Sequence, residues 1–182
     1  MDDEAWMSIT IYGPQPEIDR FKRWFVVGEA HPNGVTTHTI DFTGVQNHKG
    51  RYDPRVEFHC QRPWGFEDDE DYGHSDLGAY WFKMDGPLGF PTEIFERLGE
   101  LFPYLMFDCE YIASDRSEAG YGWFNGPKEA EPFVVCEFPH DYWENSFKHF
   151  RSREAQVKYE SLVSRVRSAA VKASLLASCA EN

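Results

Sequence analysis

Residues 80–126 read YWFKMDGPLGFPTEIFERLGELFPYLMFDCEYIASDRSEAGYGWFNG, and the order of patterns in them decides the fold. An aromatic strand over residues 79–84 is expected to break at Gly86 and Pro87. A helix follows over residues 92–102, with Thr92 as its expected N-cap and Ile94, Phe95, Leu98, Leu101 and Phe102 along one side; Pro103 stops it. Residues 106–112 then alternate, Phe107, Cys109 and Tyr111 against Asp108 and Glu110, as a sheet with one wet face would. Strand, amphipathic helix and strand in this order make half of a two-layer α+β domain.

The other half lies upstream. Met7, Ile9 and Ile11 alternate with Ser8, Thr10 and Tyr12 in a first strand, which Gly13 and Pro14 end. A helix from Pro16 gathers Ile18, Phe21 and Phe25 on one face, with early Glu17 and Asp19 and later Arg20, Lys22 and Arg23 suiting its dipole. Residues 35–42 read as a second strand, and residues 121–124 and 133–138 as a later antiparallel pair joined through Gly126 and Pro127. The expected fold is α+β: a ferredoxin-like antiparallel sheet with two helices on one face, extended by a hairpin and a C-terminal helix. That domain spans residues 1–140, with an acidic insertion near residues 43–78 in which residues 56–60 suggest one short strand. Residues 141–182 form an amphipathic basic helix packed on the domain or extending from it.

A resemblance supports this reading. FPTEIFERLGELFPYLMFDCEY, the Gly- and aromatic-rich strand ending in Asn125-Gly126, ITIYG at residues 9–13 with the following PQPEIDRFKRWF, and HTIDF at residues 38–42 together resemble the Api92-like proteins. That family has a ferredoxin-like domain and is found largely on plasmids, phages and other mobile elements. The likeness covers residues 7–126; the family's Asn-Trp-Cys start is replaced by Glu4-Ala5-Trp6-Met7, and its central tryptophan segment survives as Arg62-Pro63-Trp64-Gly65. It implies a fold and a mobile-element setting, and no settled biochemical activity.

With 182 residues, 41% hydrophobic and 16% aromatic, the chain can build one packed domain and is not composed like a disordered one. No apolar run approaches the ~18 residues that span a bilayer. The start MDDEAWMS lacks the apolar segment of a secretory signal, so a cytoplasmic protein with no membrane partner is expected. Cys60, Cys109, Cys136 and Cys179 are dispersed without a CxxC pair and read as buried thiols.

The net charge of −13 is unevenly spread: residues 1–147 hold 28 acidic and 11 basic side chains, residues 148–182 hold 3 and 7. The acidic body repels a nucleic-acid backbone and is steered toward basic surfaces, including those of nucleic-acid-binding proteins. In the C-terminal segment Tyr159, Leu162, Val166, Ala169, Ala173 and Leu176 follow a heptad-like seam, and Arg151, Lys158, Arg165 and Lys172 recur every seven residues beside it. Val163, Ala170 and Ala177 widen the apolar face, which favours packing on the chain's own body over a homodimer through this helix.

Candidate chemistry is sparse. The run Glu67, Asp68, Asp69, Glu70, Asp71, with Tyr72, Asp76 and Trp64 nearby, is the expected partner-binding surface; read as an EF-hand from Asp69 it puts Tyr80 where the bidentate glutamate belongs. His59 and Cys60, adjacent on an expected strand, point to opposite faces, and His140 and His149 miss the i, i+4 spacing of helical ligands. Neither a G-x-S-x-G elbow nor a G-x-x-x-x-G-K-[ST] loop is present, so no catalytic residue, metal or cofactor is assigned. Aromatics on an open sheet could stack bases, but residues 79–84 and 106–112 carry a single basic side chain, Lys83, too few to flank a phosphate backbone. The expected function is non-enzymatic binding of a basic protein partner without direct nucleic-acid contact. A nucleic-acid mimic that inhibits a host defence nuclease complex, in the manner of an anti-CRISPR or anti-restriction factor, is its specific form. The alternatives are a small-ligand or metal-dependent enzyme, and a nucleic-acid regulator acting through the basic C-terminal helix.

Overall fold

A computed structural model describes residues 4–45, 54–60, 63–66, 73–87, 89–115, 117–137 and 153–180. They form a mixed α+β fold. In chain order the elements are β1 (Glu4–Tyr12), α1 (Gln15–Phe25), β2 (Val26–Ala30), β3 (Thr36–Ile40), a 3-10 turn at Thr43–Val45, α2 (Pro54–Cys60), β4 (Trp64–Phe66) and β5 (His74–Asp76). Then come β6 (Ala79–Pro87), α3 (Thr92–Leu101), β7 (Met106–Ala113), β8 (Glu118–Phe124), β9 (Val134–Glu137) and α4 (Arg153–Ala180). The strands make one sheet in the order β2-β3-β4-β6-β1-β7-β8-β9, with β5 also paired to β6, and adjacent strands run antiparallel.

β1 is central: Ile9 lies opposite Phe82 of β6 on one side and Cys109 of β7 on the other. Its period of two sends Ala5, Met7, Ile9 and Ile11 to one face, where Tyr80, Phe82, Met84, Phe107, Cys109 and Tyr111 join them in the main core. Ile18, Phe21 and Phe25 of α1 and Ile94, Phe95 and Leu98 of α3 complete the same core. Phe21 sits in its middle, with the rings of Phe25, Tyr80, Phe82, Phe102 and Phe107 at centroid distances of 5.1 to 6.5 Å. Such offset and edge contacts are favoured by ring quadrupoles and add to the burial of apolar area.

Several elements differ from the sequence expectation. Residues 54–60 are helical, because Val56 and Cys60, four apart, share one buried helical side and the Cys60 thiol donates to the Phe42 carbonyl at 3.1 Å. A short apolar run does not by itself distinguish strand from buried helix. β6 does not stop at Gly86 but pairs as far as Glu4 opposite Pro87. A Cβ on Gly86 would strike the Trp64 ring, so the glycine there gives the indole its place rather than ending the strand. Thr92 is not the cap of α3: Pro91 holds that position, no side-chain cap bond forms, and the Thr92 hydroxyl turns to the Phe90 carbonyl at 3.5 Å. β2 has no counterpart among the expected strands, because only Val26 of its five residues is even partly covered and no alternation marks it.

The largest difference concerns the face of the sheet opposite the main core. Asp108 is 6% exposed, not solvated, because α4 crosses that face. Leu162, Val166 and Ala170 pack there on Tyr12, Ala79 and Trp123 in a second cluster. The buried positions of α4 are Leu162, Val166, Ala170 and Ser174, a run of fours, whereas the seam members Ala169 and Leu176 are exposed. Against one broad sheet a straight helix keeps a 3.6-residue stripe; the heptad seam belongs to a partner that supercoils with it.

Candidate functional site

The covered sheet face concentrates polar groups in an apolar setting. Alternation in β1, β7 and β8 sends Tyr12, Asp108, Tyr121 and Trp123 to the side opposite the core, since Phe107 and Cys109 must point inward. Tyr12 stacks on Trp123 at 5.8 Å, and the Tyr159 ring of α4 meets Tyr121 edge-on at 5.8 Å. The Tyr159 hydroxyl donates to Asp108 Oδ2 at 2.6 Å, so a buried carboxylate anchors the helix. Burial first, and the Asp108 charge second, push the Tyr12 phenol up to about 12. The same two causes raise the Tyr159 phenol further. Both phenols stay protonated near neutrality, which keeps Tyr159 a donor to Asp108.

Removing this anchor has a defined expectation. Tyr159→Phe deletes a donor to a buried carboxylate and should destabilise the chain by about 1.5 to 3 kcal/mol in urea unfolding. An unchanged midpoint would show that α4 is not held by this contact.

At its far end α4 passes very close to the loop before β6. A Cβ on Gly78, whose φ is +77°, would lie 2.8 Å from the backbone of Ala170 and Val171. Glycine is required there both by the left-handed backbone and by the approach. The Gln15 N–H donates to Ser174 Oγ at 2.9 Å, and that hydroxyl donates to the Ala170 carbonyl at 2.8 Å. Beside the other end of α4 opens a cleft of about 600 Å³. Tyr121 and Trp123 form its wall, Glu129 and Glu131 its loop side, and Lys158 and Arg165 its helix side. Arg165 faces Glu129 at 3.7 Å, Lys158 pairs with Glu154 at 3.0 Å, and Arg167 pairs with Asp76 at 2.5 Å. These pairs are solvent-exposed and add little stability, but they show which charges face each other.

The sequence-assigned partner surface is only partly placed. Glu67, Asp68, Asp69, Glu70, Asp71 and Tyr72 lie outside the described residues. The chain on either side of them is fixed along one edge of β6, where β4 pairs with Met84 and Asp85 and β5 with Ala79 to Trp81. Asp76 is exposed and engages Arg167. Trp64 is 2% exposed, part of the main core, and its Nε1–H donates to the His59 carbonyl at 3.2 Å. The ring is thus a core element under Gly86 and not a surface anchor, because β4 turns both Trp64 and Phe66 inward.

His59 and Cys60 lie on α2, with His59 Nδ1 3.7 Å from Glu93 Oε2 and burial lowering the imidazole below its ordinary value. Burial pushes the Cys60 thiol up to about 12 and the Cys109 thiol well above its ordinary value, which makes both inert near neutrality. Among the described residues no group of three or more His, Cys, Asp and Glu side chains is arranged to hold a metal ion. No described helix is long and apolar enough to cross a membrane. Tyr12, Asp108 and Tyr159 were not singled out as site residues from the sequence. The available signal was an aspartate between inward Phe107 and Cys109, which reads equally well as solvent-facing.

No family model, curated protein or solved structure matches this chain.

Proposed function

We propose that this chain is a non-enzymatic acidic protein that binds a basic protein partner through its carboxylate-rich body. The observation that carries the reading is how the body holds its own α4. A helix from the basic end of the chain lies on the sheet by apolar contacts, and its Arg165 and Arg167 face Glu129 and Asp76 of the body. The same surface chemistry, apolar centre with carboxylates at the rim, suits a basic amphipathic element of another protein. The ferredoxin-like reading is part of this proposal. It is supported by the strand order β4-β6-β1-β7 with α1 following β1 and α3 linking β6 to β7. The motif resemblance to Api92-like proteins supports a mobile-element origin, and with it a nucleic-acid mimic directed at a host defence nuclease, acting in the cytoplasm.

The test is a tagged pull-down from the host in low and moderate salt, followed by kinetics with the captured protein. Replacing Glu67, Asp68, Asp69, Glu70 and Asp71 by their amides should slow association by about tenfold or more at low salt and leave the melting temperature nearly unchanged, because a run of like charges steers encounter more than it supports folding. Nucleic acid should compete for the partner. Direct binding of DNA or RNA by the purified protein at physiological salt, or an unaltered association rate for the amide variant, would defeat the mimic reading.

A further inference from the structure

β2 is the outermost strand of the sheet, with β3 on its only paired side among the described residues. The Asp41 N–H donates to the Phe25 carbonyl at 2.9 Å, and the His31 N–H donates to the Val35 carbonyl at 2.8 Å. Antiparallel ladders alternate bonded and non-bonded pairs, and the register Val26↔Ile40 to Ala30↔Thr36 joins these two bonds. Phe25, Val27, Glu29 and His31 therefore turn their backbone groups toward β3, while Val26, Gly28 and Ala30 turn theirs away from the sheet.

The Val26 N–H is taken by the Lys22 carbonyl at the end of α1. The outward set is then the N–H groups of Gly28 and Ala30 and the carbonyls of Val26, Gly28 and Ala30, at the spacing of a ladder ready to be extended. Natural edge strands are guarded by charged side chains, Lys above all, by Pro or by bulges; the segment VVGEA holds no Lys or Pro and one charge, Glu29. At the outward positions Gly28 and Ala30 supply almost no side chain to cover the edge. Residues 27–30 are exposed, Val27 by 45%.

We propose that the outer edge of β2 is a docking site for an extended segment of a partner protein, which adds as a further antiparallel strand. In that segment a Lys or Arg stands opposite Glu29 and a β-branched residue opposite Val27. Charge selects this occupant: a second copy would bring another net −13 and a second Glu29 to the same edge, whereas a basic segment is drawn to it. The preference for a basic segment rests on the acidic-body reading above; the edge geometry stands apart from it.

Short peptides of alternating valine and lysine, and of alternating valine and glutamate, serve as probes, with amide hydrogen exchange of the full chain read by NMR. The valine–lysine peptide is expected to slow exchange of Gly28 and Ala30 about tenfold or more, and to change Val27 and Glu29, already bonded to β3, far less. Gly28→Pro deletes an outward N–H while leaving the inward ladder whole, so it should weaken peptide binding about tenfold with the far-UV spectrum unchanged. Ala30→Pro makes the same test if the first variant unfolds. Equal protection by the glutamate peptide would overturn the acidic-body reading and leave the edge standing. Absence of protection by both peptides would overturn the edge. Protection of the same amides on concentrating the protein alone, with a doubled mass, would replace the foreign partner by a second copy.

Discussion

Truncation after Arg153 is expected to leave a folded body that aggregates. The main core contains no residue of α4, so its strands and the helices α1 and α3 keep their packing. The second cluster does not survive: Tyr12, Ala79 and Trp123 lose Leu162, Val166 and Ala170, and Asp108 loses the Tyr159 hydroxyl. A contiguous apolar patch with a stranded carboxylate results, and patches of this kind drive association. The measurements are far-UV circular dichroism, dye binding and size-exclusion chromatography. Retained strand signal with strong dye binding and early elution is the expected result. A monodisperse truncated chain without dye binding would mean that α4 does not cover this face. Complete loss of structure would make α4 part of the folding core.

Phe21→Ala should be the most damaging single substitution in the body. Its ring touches five others and is fully buried between α1 and the sheet, so its removal leaves a cavity that rigid aromatic neighbours cannot fill. A cost of about 3 to 5 kcal/mol is expected. Against a typical domain stability of about 5 to 15 kcal/mol, that is a large share. For a chain of this size the melting temperature should fall on the order of 10 °C. Urea unfolding followed by tryptophan fluorescence measures it, and a loss below about 1 kcal/mol would contradict the aromatic centre of the core.

The aromatic core and the covered sheet face were unequally legible in the sequence. Phe21, Ile94 and Leu98 could be placed in the core from spacing alone, because an amphipathic helix repeats its inward residues every three to four positions and a strand every two. β1, α1, α3 and β7 were read on that basis within a few residues of their bounds. β2 could not be, since a strand exposed on both faces carries no periodic signal, and α2 could not, since buried Val56 and Cys60, four apart, fit either period.

What the sequence by itself determined, then, is the α+β class, the antiparallel alternation of the central strands, the inward face of each helix and the separation of acidic body from basic end. Those are local properties: each follows from side-chain period and charge within a short window. Only the tertiary structure decided that Asp108 is buried, that Trp64 is core, that α4 lies across the sheet on a run of fours, and that the edge of β2 faces outward. Each of these depends on which distant segment covers a given face, and the contact that settles it, Tyr159 to Asp108, joins residues 51 positions apart. A side chain's own neighbours in sequence set the face it points to; whether that face meets water or protein is set by the rest of the chain.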